Sequence, residues 1–221
     1  MARTEQPESD PRQPVILTDA QFEKLLREMG AVSPMHELYT LLLNETGGRC
    51  EFEALWLRWE DIDLERGFLV IVSGRDGHRT KGGKTRKVPI TSRLRQALVA
   101  HQLRFKGAGY GGQTSPWVFH HLTTRRHGVA GERIVSLYGA FKGAAKRAGL
   151  SPDLHQHDLR HRRVTTFLQA GKNVVTVQKA MGHADLRTTM GYSHLVDEDL
   201  LELVKETPTP PKWEPQAAQQ G

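Results

Sequence analysis

Two hydrophobic stripes near the start of the chain have helical spacing. In the first, apolar residues recur every three or four positions after Thr18, which can form a capping box with Gln21. The second begins after Ser33, where Pro34 suits the first position of a helix, and it stops at the glycine pair 47–48. The sequence therefore predicts two helices, whose buried faces contain Phe22, Leu25, Leu26 and Met29 in the first and Leu38, Leu41 and Leu42 in the second.

Further stretches repeat the helical period. One of them predicts a third helix that starts at Arg49, where the backbone N–H groups of a helix end would favour an anion. Others cover about 92–105, 133–148 and 157–171, and a short last helix is expected to begin near Asp197. The apolar face of the third helix contains Phe52, Leu55, Trp56 and Trp59. The apolar face of the helix over 133–148 contains Ile134, Leu137, Tyr138, Phe141 and Ala145.

Between residues 67 and 90 the pattern changes from helical to strand-like. The strings FLVIV (68–72) and RKVPI (86–90) predict two strands, and RDGHRTKGGKT (75–85) predicts a basic, turn-rich loop that joins them. A short WVF strand (117–119) follows a glycine-rich loop. The chain is therefore expected to be mainly α-helical with a small antiparallel β-sheet, an α+β fold.

Charge points to a polyanionic partner. The 221 residues include 31 Lys and Arg against 25 Asp and Glu, which gives a net charge of +6, and the isoelectric point is near 9.6. Six of the basic residues lie between Arg75 and Lys87, although an ordinary solvated loop could have the same composition. The single cysteine, Cys50, excludes an internal disulfide and suits a reducing compartment. With neither an apolar run of bilayer length nor a signal-peptide pattern, the sequence predicts a cytoplasmic protein without membrane contact.

A set of polar residues near the C-terminus could hold a phosphate and attack it. His157, Arg160 and His161 are spaced i, i+3 and i+4, so they share one face of the predicted helix. That face is expected to lie at a surface or cleft, opposite an apolar stripe. His183 and Tyr192 follow in the strings MGH and TTMGYSH. The opposite, buried stripe contains Leu159, Val164, Phe167 and Leu168.

These strings resemble the catalytic domain of the tyrosine recombinases, also called the phage integrase family. HDLRH (157–161), the Gly-His pair 26 residues after its first His, and the tyrosine 9 residues later follow the family order. Upstream, TGGR (46–49) resembles the first arginine box of the family, and KGGKTRKVP (81–89) resembles its lysine hairpin. The resemblance runs from about Leu17 to Leu203. One residue is inserted after the arginine, because Glu53 and Trp59 lie four and ten positions beyond Arg49.

The resemblance implies a site-specific recombinase that cleaves and rejoins DNA through a 3′-phosphotyrosine. Two guanidiniums suit the non-bridging oxygens, Tyr192 has the position of the nucleophile, and Lys81 is favoured over Lys84 as the acid for the leaving 5′-oxygen. The mechanism requires no cofactor and no metal, and the implied partners are double-stranded DNA and further copies of the chain in a tetramer. Catalytic roles are implied for Arg49, Lys81, His157, Arg160, His183 and Tyr192, and phosphate contacts for Arg79, Lys84, Arg86 and His161.

The resemblance also divides the chain. Residues 1–16 are expected to be a disordered arm or linker stub, 17–206 the catalytic domain, and 207–221, which is rich in proline, a disordered tail. The N-terminal domain with which most family members clamp DNA is absent from this sequence. A minimal natural enzyme and an excised catalytic domain both fit this pattern.

Three other functions deserve comparison. The histidines at 155, 157 and 161 could bind a metal, but no HExxH pattern and no carboxylate beyond Asp158 supports a metal hydrolase. A type IB topoisomerase uses similar chemistry and differs in strand exchange and site preference. A catalytically silent DNA-binding protein of the same fold would not need the full set of catalytic residues, all of which are present.

Overall fold

A computed structural model describes residues 12–77, 85–106, 115–125 and 128–182 of the chain, with side chains excepted at 105 and 106. The predicted last helix and the C-terminal tail lie outside these residues, as does most of the N-terminal arm. In the described part, six α-helices accompany three short strands. They are α1 (Asp19–Val32), α2 (Pro34–Thr46), β1 (Ile62–Asp63), β2 (Phe68–Ile71), β3 (Arg86–Pro89), α3 (Ser92–Lys106), α4 (Tyr138–Arg147), α5 (Asp158–Gln169) and α6 (Val174–Met181).

The first two helices begin and end as their sequences predict. Thr18 accepts a hydrogen bond from the Gln21 backbone, and the Gln21 side chain accepts one from the Thr18 N–H, which completes the capping box. Ser33 caps α2 by accepting from the Met35 N–H at 3.2 Å. Gly47 ends α2 in the left-handed region, at φ 60°. The predicted apolar faces of both helices are buried.

The hairpin is confirmed, and a short strand extends it. Strand β2 pairs antiparallel with β3, Leu69 opposite Val88, while β1 pairs with the other edge of β2. Leu69 and Val88 face the core, whereas the exposed Lys87 lies on the other face of β3. The fold is therefore mainly α-helical with a three-stranded antiparallel sheet, as predicted.

One large apolar core joins these elements. It contains the inner faces of α1, α2, α3 and α4 and the inward residues of β2 and β3. A smaller cluster, formed by Val164, Leu168, Val177 and Met181, holds α6 against α5. The C-terminal ends of α2 and α6 meet, since a Cβ at Gly47 would lie 2.4 Å from the sulfur of Met181, and α6 also contacts β3.

One predicted helix does not form, and a second begins later than predicted. After Gly47 the chain forms turns and two single 3₁₀ turns, at Ala54–Trp56 and Trp59–Asp61, and Phe52 is 56% exposed. Arg49 therefore follows the end of a helix and does not begin one. Residues 133–137 are extended because the Ile134 N–H donates to the Phe119 carbonyl at 3.1 Å, so α4 starts only at Tyr138. The expected WVF strand forms only isolated bridges to the rest of the chain.

Residues 12–16, expected in the disordered arm, contact the domain. The Arg12 guanidinium pairs with the buried carboxylate of Asp158 and donates to the Asp153 carbonyl at 2.8 Å. Val15 packs on the main core. Across the described ranges, no helix is both long and apolar enough to cross a membrane.

Candidate active site

The loop that carries Arg49 is fixed by the way α2 ends. The Thr46 hydroxyl donates to the Leu42 carbonyl at 2.6 Å and accepts from the Gly48 N–H at 3.1 Å. Gly47 adopts a positive φ, and a Cβ at this position would lie 2.4 Å from the sulfur of Met181. Glycine is therefore required both by the backbone conformation and by the close approach of α6.

Arg49 and Arg86 share one buried carboxylate, that of Glu53. Arg49 donates to Glu53 from its backbone N–H and from its guanidinium, each at 2.8 Å. Arg86 forks onto both carboxylate oxygens at 2.8 and 2.6 Å. The side chain of Glu53 is fully buried, while those of Arg49 and Arg86 are 18% and 11% exposed. The residue inserted after Arg49 is thus absorbed by turns, and Glu53 still reaches the arginine.

The electrostatics of this group keep Glu53 ionised. Burial alone would raise the pKa of Glu53, but the hydrogen bonds and positive charge of Arg86, joined by those of Arg49, lower it to about 2. Glu53 is therefore a carboxylate at neutral pH. Two positive charges against one negative charge leave the three side chains with a net charge of +1.

The sequence predicts that Arg160 lies on an exposed edge of its helix, but the structure places it in the interior. The residue is 3% exposed. Its guanidinium donates to the carbonyl of Gly47, at the end of α2, and at 2.6 Å to the carbonyl of Met181, at the end of α6. The physical reason for the burial is that α2 and α6 pack on both sides of α5. Arg160 therefore links the Arg49 loop to the residue two positions before His183.

The apolar positions of α5 are buried as predicted, but Val164 and Leu168 follow Arg160 at i+4 and i+8 and so lie on its own side of the helix. Leu159 and Val164 are fully buried, Leu168 is 5% exposed, and Phe167 packs against the α6 cluster. Arg162, on the same helix, was missed by sequence reasoning. It is buried, donates to the Asn44 side chain at 2.5 Å and lies with its guanidinium carbon 4.7 Å from the centre of the Phe22 ring. It anchors α5 to the first two helices.

The start of α5 carries two neighbouring imidazoles. The rings of His157 and His161 meet edge to face with their centres 4.9 Å apart. Desolvation by the surrounding protein, followed by the charges of His161, Arg160 and Arg49, lowers the pKa of His157 to about 4, although the residue as a whole remains exposed. Burial, chiefly, also lowers the pKa of His161. The neutral form of both rings is therefore favoured in the free protein.

The structure brings together five of the predicted site residues: Arg49, Arg86, His157, Arg160 and His161. The other five lie outside the described residues: Arg79, Lys81, Lys84, His183 and Tyr192. Arg86 and Gly182, which lie close in sequence to Lys84 and His183, contact each other. Gly182, which precedes His183, has a positive φ, and a Cβ there would lie 2.9 Å from Cδ of Arg86.

Sequence reasoning missed the central position of Glu53. Its signal was the family pattern of a glutamate shortly after the arginine, but only the fold shows that Arg86 shares it. Within the described ranges, no group of three or more His, Cys, Asp or Glu side chains could hold a metal ion. Asp158, considered above as a metal ligand, is instead hydrogen-bonded to Arg12 and to the His155 N–H.

Known proteins are similar to this chain in both sequence and fold. The family model described as the phage integrase family matches residues 16–199. An integrase/recombinase of Escherichia coli is 30% identical over 220 residues, which cover 86% of this chain and 62% of that protein. Tyrosine recombinase XerC of Xanthomonas campestris pv. campestris is 34% identical over 139 residues, 63% of this chain and 38% of that protein. The chain thus spans less than two thirds of the length of these relatives.

Solved structures show the same architecture. The Tn1549 transposon integrase in complex with transposon right end DNA superposes with a TM-score of 0.69 at 21% identity, over 89% of this chain and 68% of that one. The catalytic domain of bacteriophage HP1 integrase superposes with a TM-score of 0.58 at 20% identity, over 91% of this chain and 100% of that one. These likenesses concern the fold. Together with the match of the family model, they show that the chain belongs to the phage integrase family, the tyrosine recombinases.

Proposed function

We propose that the protein is a site-specific DNA recombinase that cleaves and rejoins DNA strands through a 3′-phosphotyrosine intermediate. One observation carries the proposal. The guanidinium of Arg160 is bonded to the carbonyl of Gly47, two residues before Arg49, and the charges of both arginines act on the His157 ring. These contacts support the proposal that two arginines and an imidazole from distant parts of the chain act on one phosphate.

Such a group suits a phosphodiester. Each guanidinium carries a permanent charge and can donate to two oxygens, so Arg49 and Arg160 would neutralise the non-bridging oxygens as charge grows in the transition state. The carbonyl bonds of Arg160 and the Glu53 bonds of Arg49 hold both groups in place before DNA binds. Removing one preorganised donor of this kind costs about 3 to 4 kcal/mol of transition-state stabilisation.

The covalent step uses residues assigned by their motifs. Tyr192 loses its phenolic proton to solvent in the cationic site, its phenolate oxygen attacks the phosphorus, the bond from phosphorus to the 5′-oxygen breaks, and Lys81 gives that oxygen a proton. His157 and His183 position the phosphate or donate to it. Because the phosphotyrosine keeps the energy of the broken bond, a 5′-hydroxyl from a second strand can reverse the step without a nucleotide cofactor.

The proposed partners are double-stranded DNA and other copies of the chain. Structural relatives include the Tn1549 integrase in complex with transposon end DNA and the XerH recombinase bound to its difH substrate. By analogy, we propose that this chain also binds duplex DNA and exchanges strands within a tetramer. Arg79, Lys84 and His161 are proposed to contact phosphates, and the predicted cytoplasmic location remains part of this proposal.

A covalent trap tests the proposal. The protein is incubated with a pool of randomised duplexes, each nicked so that cleavage releases a short fragment and prevents rejoining. We expect a protein–DNA adduct that survives denaturation. Tyr192→Phe should remove the adduct and leave DNA affinity unchanged, whereas the control Tyr138→Phe, at an exposed tyrosine on α4, should keep it.

Three outcomes would contradict the proposal. An adduct that persists in Tyr192→Phe would remove Tyr192 from the nucleophile's role. DNA binding without any adduct in the wild-type protein would favour the catalytically silent DNA-binding protein. Adduct formation with relaxation of supercoils but without exchange of partners would indicate topoisomerase chemistry.

A further inference from the structure

We propose that Arg86 is a positioning residue that neutralises Glu53, and thereby leaves the charge of Arg49 available to the DNA phosphate. This inference rests on the proposed function. It replaces the phosphate contact that the sequence pattern suggested for Arg86. The proposal is carried by three observations: the geometry at Glu53, the burial of the group, and the contact between Arg86 and the end of α6.

The guanidinium of Arg86 is already committed. It forks onto both oxygens of Glu53 at 2.8 and 2.6 Å, a bidentate geometry that guanidinium and carboxylate favour. The partner of Arg86 is a fully buried carboxylate, whereas the buried guanidinium of Arg160 donates to two neutral carbonyls. A phosphate contact would require Arg86 to leave a buried anion, which is costly when the remaining partner is a single cation.

The charge balance explains why two arginines meet one carboxylate. Arg49 needs Glu53 to hold its backbone and guanidinium in place. With Glu53 as its only partner, however, the charge of Arg49 would be cancelled, and a phosphate would meet a neutral pair. Arg86 supplies the second positive charge, so the group keeps a net charge of +1 in front of the substrate.

Arg86 also touches the end of α6. A Cβ at Gly182 would lie 2.9, 3.2 and 3.3 Å from Cδ, Nε and Nη1 of Arg86, so the side chain lies directly against the Gly182 backbone. Arg86 is the first residue of β3, and α6 contacts that strand. One side chain therefore connects the start of β3, the Arg49 loop and the residue before His183.

The test compares Arg86→Met with Lys87→Met, which removes the same charge from the exposed face of the same strand. The measurements are the single-turnover rate of adduct formation at saturating suicide DNA and the affinity for a random-sequence duplex as salt is varied. We expect Arg86→Met to slow adduct formation about 100-fold relative to Lys87→Met, the size of effect expected from a misplacement near 1 Å. The salt slope should also fall by about 1 relative to Lys87→Met, because the uncompensated carboxylate cancels the charge of Arg49.

A rescue distinguishes this role from a purely structural one. Adding Glu53→Gln to Arg86→Met removes the carboxylate that would otherwise cancel Arg49. We expect the double variant to form adduct at least 10-fold faster than Arg86→Met and at the rate of Glu53→Gln alone. If Arg86→Met does not fold, the comparison of the double variant with Glu53→Gln still decides, because neither contains an unpaired buried carboxylate.

A phosphate contact predicts a different result. Loss of such a contact would also weaken DNA binding and reduce the salt slope by about 1 relative to Lys87→Met, but adding Glu53→Gln would restore neither the salt slope nor the rate of adduct formation. That result would overturn the proposal. Failure of the proposed function would give a different result from failure of this inference. The wild-type protein would then form no adduct, while the salt slopes of the single and double variants would still show whether Arg86 contacts DNA.

Discussion

The buried carboxylate of Glu53 should make the stability of the protein depend on pH in a way that one substitution removes. Its pKa of about 2 lies below the ordinary value of 4.5. Each pKa unit corresponds to about 1.4 kcal/mol, so ionised Glu53 contributes about 3 kcal/mol to the free energy of unfolding at pH 7. Because the pKa is lowered on folding, this contribution is fully present above about pH 4.5 and is lost as the pH falls towards 2.

The perturbation is Glu53→Gln, which keeps the shape of the side chain and removes its titration. We expect the wild-type protein to be more stable than the variant by about 3 kcal/mol at pH 7, and the difference to narrow by about 2 kcal/mol at pH 3. Urea unfolding, followed by tryptophan fluorescence at several pH values, measures the stability difference at pH 7 and its change at pH 3. Glu65→Gln, which removes an exposed carboxylate, shows how much any one carboxylate contributes. A difference between wild type and Glu53→Gln that stays constant from pH 7 to pH 3 would refute the reasoning.

Three other perturbations test the site. Gly47→Ala should lower the free energy of unfolding in urea by about 1 to 3 kcal/mol more than Gly171→Ala. Both glycines have positive φ, but only a side chain at position 47 would meet Met181. Equal losses of stability in the two variants would contradict the close approach of α6. Arg160→Lys places a single ammonium nitrogen where two guanidinium nitrogens each reach a different carbonyl, and it should slow adduct formation about 100-fold in a single-turnover assay; an unchanged rate would exclude the role of Arg160. DNA should raise the pKa of His157 above about 4 in an NMR titration, because a phosphate favours the imidazolium; an unchanged pKa would place the phosphate elsewhere.

Local signals explain what the sequence predicted correctly. The Thr18 capping box, the Ser33 cap and the Gly47 stop depend on residues within four positions of each other, so they can be read without the fold. The strands of the hairpin were equally visible, because apolar residues dominate β2 and a valine lies between polar neighbours in β3. The order of the catalytic motifs gave the family.

The errors have a common physical cause, which is long-range hydrogen bonding. Residues 133–137 have helical spacing, but Ile134 bonds to Phe119, fifteen positions away, and the segment is extended. Arg160 looked like a surface residue because its partners are carbonyls 113 and 21 positions away. Glu53 binds Arg86 across 33 positions, and no local pattern shows that one carboxylate serves two arginines.

The central claim is that two arginines from distant parts of the chain bind one scissile phosphate while Tyr192 attacks it. A crystal structure of the protein trapped on suicide DNA tests this claim most directly. The account predicts a bond from the oxygen of Tyr192 to phosphorus, with Arg49 and Arg160 donating to the non-bridging oxygens of that same phosphate and Arg86 still forked on Glu53. Arginines on different phosphates, or a bond from another residue to phosphorus, would contradict it.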